Sequence, residues 1–177
     1  ATVRRGCGLL ALVGALLFAT RSATQWETVW RWFNRVDFGR QDPVFARDLS
    51  YYFFTLPMLE EAVRFGLLLC LLAVAGSIAL YYFKGALSLR IARQSKRGRA
   101  GTHIALLGGV FFLLLAANAY LDRFGILFTD HQLMYGASYA DLHARLPVIY
   151  VLAAVALVGA LLWFYHALAS DYRAAVL

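Results

Sequence analysis

Four histidines and a scatter of carboxylates are the side chains in this sequence best suited to chemistry. Asp130 beside His131, and Asp141 two residues before His143, gather in one short stretch where mixed nitrogen and oxygen ligands could hold a metal ion. The spacing is not diagnostic of a metal site, and a solvated or hydrogen-bonding pair of histidines is the plainer reading. His103 and His166 lie near the ends of two apolar stretches. On antiparallel helices they would reach similar depths and offer axial ligands to a haem or a chlorophyll-type macrocycle. Gly136, Ser138 and Ala140, followed by Asp141 and His143, superficially imitate a nucleophile elbow with its triad partners. Triad members converge from separate segments, so Ser138 with Asp141 three residues on reads instead as a capping box opening a short helix. Gly6, Gly8 and Ala11 fit the dinucleotide fingerprint on paper, yet no strand precedes them and they open an apolar run. No residue is assigned a catalytic role. Cys7 and Cys70 lie in apolar stretches without paired spacing and read as small buried hydrophobes, not as a zinc site or a disulfide.

The elements that must position these residues follow from composition. Of 177 residues, 62% are hydrophobic and 15% charged, against roughly 25% charged in an ordinary soluble domain. Too little polar surface remains to face water, which excludes a soluble enzyme, a disordered chain and a disulfide scaffold, and calls for a bilayer. Segments free of Asp, Glu, Lys and Arg run over residues 6–20, 65–83, 100–121 and 146–170. They predict an all-α integral membrane bundle of four transmembrane helices, forming a single membrane domain over 1–177. The first run is short for a crossing, and with Arg4 and Arg5 before it and Ser22 and Ala23 after it, it also looks like a secretory signal peptide.

The connection 84–99 carries Lys84, Arg90, Arg93, Lys96, Arg97 and Arg99 and no acid, which predicts a cytoplasmic loop. Both termini then lie in the cytoplasm, with residues 21–64 and 122–145 outside a bacterial plasma membrane. The net charge of +7 is a matter of topology, since the basic residues lack the aromatic interleaving of a nucleic-acid-binding face. The external segment 21–64 holds Trp26, Trp30, Trp32, Phe33, Phe38, Phe45 and the run Tyr51 to Phe54. Thr24 and Glu27 predict a capping box, after which Trp26, Val29, Trp30 and Phe33 share one face of an interfacial helix. Asp42 before Pro43 predicts the start of a second short helix. Together these form an aromatic-rich cap on the outer face.

No ionisable group lies in the core of any span, which argues against pumps, proton relays and coupled transport. Asn118 and Ser77 are the polar exceptions. Small residues recur at helical spacing: Ala11, Ala15 and Ala19; Gly101, Ala105 and Gly109; Ala156 and Ala160. Such stripes allow close helix approach in lipid, within the bundle or against a partner. No internal repeat, low-complexity tract or domain linker is found.

Several longer stretches carry a family likeness: Gln25-Trp26-Glu27-Thr28, Phe38-Gly39, Asp42-Pro43-Val44-Phe45 and Arg47-Asp48-Leu49-Ser50-Tyr51-Tyr52, with Phe54 and Leu56-Pro57. Leu121-Asp122-Arg123-Phe124 follows, and then Gly136 through Pro147. From Ala23 to about Arg173 the chain resembles a family of bacterial and archaeal multi-pass membrane proteins catalogued as uncharacterised protein family zero-one-eight-two. The resemblance implies a membrane location and no assigned activity, catalytic residue or cofactor. It also implies longer relatives, with spans upstream and a large extracytoplasmic region downstream, so that this chain looks like a middle portion. One departure is Ala46, where a glycine is usual.

The function these features favour is non-enzymatic: a structural or accessory subunit embedded in the bilayer and packed against other membrane proteins. The alternatives are a cofactor-binding subunit using His103 and His166, and an outer-face metal or ligand site using Asp130, His131, Asp141 and His143.

Overall fold

The computed structural model describes residues 2–83, 99–129 and 136–175, and among them every extended regular element is helical. The chain divides into two compact units, Ala1–Leu59 and Glu60–Leu177.

The first unit opens with a single helix, α1, Thr2–Phe33. Its continuity corrects the expected break after the first apolar run. No helix begins at Thr24, and Glu27 pairs with Arg31 one turn later instead of turning back as a cap. Trp26, Trp30 and Phe33 do share a face, and all three are exposed, at 66, 64 and 69%.

The expected short helix at Asp42-Pro43 is also corrected. The Asp42 carboxylate accepts the Phe45 amide at 2.6 Å, as an N-cap would. Ala46 then turns to φ 51°, in the left-handed region, and the helix stops after one turn. Asp42 N–H donates to Arg47 O at 2.8 Å and Leu49 N–H to Arg40 O at 2.9 Å, closing a hairpin-like loop through an isolated Gln41–Asp48 bridge. A left-handed φ costs an L-residue about 1–2 kcal/mol. Ala46→Gly is therefore expected to stabilise this loop by up to about 1 kcal/mol, read as slower amide exchange at Asp42 and Leu49. Faster exchange would contradict it.

A π-helical turn, Tyr51–Thr55, leads into α2, Leu56–Phe83. In the second unit α3 runs Arg99–Asp122, a 3-10 turn follows over Arg123–Phe128, and a second π-helical turn, Asp141–Arg145, leads into α4, Leu146–Ala175. The two π turns are alike. Leu56 N–H reaches back five residues to Tyr51 O and Leu146 N–H to Asp141 O, and in each case proline, Pro57 or Pro147, comes next. Proline brings no N–H and its ring crowds the carbonyl of the preceding turn, a conflict that a widened turn relieves.

Helices α3 and α4 form an antiparallel pair seated on glycine. A Cβ at Gly108 would lie 2.9 Å from the Trp163 ring, at Gly109 2.6 Å from Phe164, and at Gly159 2.8 Å from Phe112. Ala105 and Ala160 are buried between them. Of the small residues expected in these spans, Ala105, Gly109 and Ala160 lie at the helix–helix seam, joined by Gly108 and Gly159, whereas Gly101 of α3 and Ala15 and Ala19 of α1 are exposed. Helix α2 adds to the pair through side chains: Cys70 Sγ donates to Leu107 O at 3.3 Å, and Leu114 closes on Gly66.

Among the described residues three stretches are long and apolar enough to cross a membrane, Tyr51–Tyr81, Gly101–Phe128 and Asp141–Ala169. The run 6–20, expected as a fourth crossing, lies inside α1 and does not join them. The helices also begin earlier than the charge-free segments suggest. Glu60, Glu61 and Arg64 precede residue 65 but are helical, and Arg64 pairs with both acids at 3.3 Å. The 28 residues of α2 rise about 42 Å, so this charged turn fits at headgroup level, outside a hydrocarbon layer of about 30 Å.

Candidate functional site

Among the described residues the chemically capable side chains collect at both ends of the α3–α4 pair in the second unit and in one loop of the first. The first group lies where α3 ends and α4 begins. Ser138 and Asp141 form the expected capping box. Ser138 donates its amide (3.1 Å) and its hydroxyl (2.8 Å) to the Asp141 carboxylate, and Asp141 N–H donates back to Ser138 Oγ at 3.2 Å. Asp141 is 7% exposed, and Arg145 approaches its other oxygen at 3.7 Å. Arg145 also donates to Thr129 Oγ1 at 3.3 Å, tying the start of α4 to the end of the 3-10 turn.

Arg123 completes this end. Its guanidinium lies 3.8 Å from the Tyr120 ring centroid and 4.5 Å from that of Phe124, and it donates to Tyr150 Oη at 3.4 Å. Phe124, and Ile126 two residues on, are fully buried. A guanidinium stacked on two rings and hydrogen-bonded to a third aromatic residue holds α3 to α4 by cation–π attraction and geometry together.

His143 stacks on Tyr139, with centroids 3.9 Å apart, and its Nδ1 lies 3.0 Å from Tyr139 O. Asp130 and His131, the other expected metal ligands, lie outside the described residues. Among the described residues no group of three or more His, Cys, Asp or Glu is arranged to hold a metal ion.

The proposed macrocycle ligands lie at the other end of the pair. Contacts of Gly108 with Trp163 and of Phe112 with Gly159 fix the antiparallel register. They put position 103 level with 168, so His166 lies about 3 Å away along the axis. His103 Nδ1 lies 3.2 Å from Tyr81 Oη on α2, and both histidines are exposed. Asn118 donates to Asp122 at 3.3 Å, an ordinary hydrogen bond at the helix end.

In the first unit the motif acids hold the loop ahead of α2. Asp48 Oδ1 accepts the amides of Ser50 at 2.8 Å and Phe38 at 3.2 Å. Asp42, 6% exposed, accepts Tyr52 Oη–H at 3.2 Å as well as the Phe45 amide. The Ser50 amide, then its hydroxyl, with the amides of Phe38 and Gly39, hold the Asp48 carboxyl below the usual carboxylate range against the opposing effect of desolvation. A depressed folded-state pKa stabilises above the unfolded value of about 3.9 and loses that contribution as pH falls through the folded value. Protection of the Phe38 and Ser50 amides is therefore expected to fall as pH drops below about 4, and Asp48→Asn should abolish this dependence. A loop equally acid-sensitive in the variant would contradict it.

Sequence reasoning found the Ser138 box, whose partners are three residues apart. It missed Arg123 and Asp48. Both lie in motif stretches, which was the only signal available for either.

Among the described residues three helices are long and apolar enough to cross a membrane, two of them packed on glycine and tied together by turns at one end, which makes this an all-helical protein suited to membrane association. The chain belongs to the uncharacterised protein family UPF0182, whose profile matches residues 2–177. It is similar to the UPF0182 protein of Cupriavidus necator, 37% identical over 94% of this chain and 18% of that protein. It is likewise similar to the relatives from Kineococcus radiotolerans, 36% identical over 93% of this chain and 16% of the relative, and from Geobacter sp. strain M21, 36% identical over 81% and 16%. The chain thus spans less than a fifth of the length of these relatives and corresponds to the middle portion of a larger protein. No solved structure matches it.

Proposed function

We propose that this chain is a non-enzymatic membrane scaffold, an accessory element that packs against other membrane proteins in a larger assembly. The observation that carries this is the use made of the motif side chains. In the first unit Asp42 and Asp48 hold the local backbone, and in the second Asp141, Arg123 and Arg145 cap a helix start or brace a neighbouring element. The exposed Trp26, Trp30 and Phe33 face of α1, with Phe38 and Phe53 also exposed, supplies apolar surface of the kind that marks a protein or membrane contact. It would serve as an outer-face cap at headgroup level. The run 6–20 would make a fourth crossing, with both termini cytoplasmic in a bacterial plasma membrane. Labelling of a cysteine placed in 84–99 from outside intact cells would overturn that orientation.

The test of the scaffold role is purification of the native protein in a gentle detergent, with mass spectrometry of what stays bound. Stoichiometric membrane-protein partners are expected. A chain that purifies alone from native membranes would overturn the proposal.

A further inference from the structure

Beyond the scaffold role, and independent of it, the second unit contains an apolar crevice whose volume and surroundings point to one kind of occupant. It measures about 280 Å³ and opens between α2, α3 and α4. Leu71 and Ile78 of α2 form one wall, Phe111 and Phe112 of α3 the back, and Trp163 of α4 the far side over Gly108. Every lining residue is apolar, and Leu71 and Ile78 remain 54 and 46% exposed, so the crevice opens toward the bilayer.

A helix from another protein, about 10 Å across, is too thick to enter it. A flexible hydrocarbon chain is not, and each methylene withdrawn into such a cleft adds to retention. A polar pair lies beyond the lining residues Ile78 and Ile104. Tyr81 follows Ile78 by three residues on the same face of α2, and its hydroxyl lies 3.2 Å from Nδ1 of His103, which immediately precedes the lining residue Ile104. The segment 84–99, which follows α2 in sequence, carries six basic residues and no acid. An apolar slot with a hydrogen-bonding pair near its end, in a chain whose next stretch of sequence is basic, complements an amphiphile with an anionic head.

We propose that this crevice binds one acyl chain of an anionic phospholipid, with the phosphate headgroup at Tyr81 and His103. Ile78→Trp fills the slot from α2 while leaving the seam glycines Gly108, Gly109 and Gly159 in place, and Leu71→Trp does so further along the same wall. His103→Leu removes a headgroup partner and leaves the slot open.

The full chain would be equilibrated with mixed vesicles of phosphatidylglycerol and phosphatidylcholine, extracted in mild detergent and washed, and its bound phospholipid identified and counted against protein. Wild type is expected to retain about one phosphatidylglycerol per chain and to prefer it over phosphatidylcholine by about tenfold. Each Trp variant should lose the retained lipid while keeping wild-type helix content and a single gel-filtration peak. His103→Leu should retain lipid with the preference gone. A lipid-free wild type, or a folded Trp variant that retains as much lipid as wild type, would overturn the proposal. Retention without headgroup preference in wild type would overturn the headgroup assignment, and with it the anionic ligand. Loss of bound protein partners with unchanged lipid in the Trp variants would give the crevice to a partner's side chain instead.

Discussion

Gly109→Leu is expected to force α3 and α4 apart and to lower stability in detergent by about 1–3 kcal/mol, the range for overpacking a tight contact. The Cβ alone would fall 2.6 Å from Phe164 Cε1, and the longer side chain has no room on that side. Gly101, in the same stripe two turns earlier, has nothing within 4 Å of its hypothetical Cβ, so Gly101→Leu should stay within about 0.5 kcal/mol of wild type. Removing the ring that causes the collision, as in Gly109→Leu with Phe164→Ala, should recover part of the loss, because residues in contact couple. Unfolding titrations of the four proteins check this. Equal effects at positions 101 and 109, or no recovery in the double variant, would show that these glycines do not set the seam.

The second large effect is expected at Asp141. Asp141→Ala removes the acceptor for the Ser138 amide and hydroxyl and the partner of Arg145, and should cost about 1–3 kcal/mol, the range for stranding buried polar groups. Ser138→Ala removes only the hydroxyl side of the box and should cost about 1 kcal/mol. The double variant should cost less than the sum, and amide exchange should rise around residues 138–145 while the glycine seam stays protected. Chelator treatment gives the discriminating comparison. If part of the Asp141 effect vanishes in chelator, the carboxylate also serves a cation; if none does, its contribution is that of a cap.

The sequence was legible where the determinants are local and opaque where they are not. The Ser138 and Asp141 box closes over three residues, so spacing alone revealed it. The same logic failed at Thr24 and Glu27, because the box pattern needs an interruption before it and the helix formers from Thr2 onward provide none. At Asp42 the cap was correctly placed, but whether a helix continues depended on the backbone at Ala46, four residues later, where the φ of 51° ends it. At α2 the helix runs beyond the charge-free segment 65–83, since charged residues bound a hydrocarbon core but do not end a helix when they pair along it, as Glu60 and Arg64 do. Arg123 could not be foreseen at all. Its hydrogen-bond partner Tyr150 lies 27 residues away on a different helix, and only the fold brings the two together.

The paired π turns have a consequence for phase. Each inserts one residue beyond an ordinary helical turn, and one residue corresponds to about 100° of rotation about the axis. A helical wheel drawn straight from Tyr51 into α2, or from Asp141 into α4, is therefore out of step by that angle once it passes Leu56-Pro57 or Leu146-Pro147. The aromatic residues ahead of each proline and the apolar stripe behind it belong to two separate wheels. Deleting a single residue from either turn would rotate the whole following span, so that α4 would turn Gly159 away from Phe112 and present a bulkier neighbour to α3.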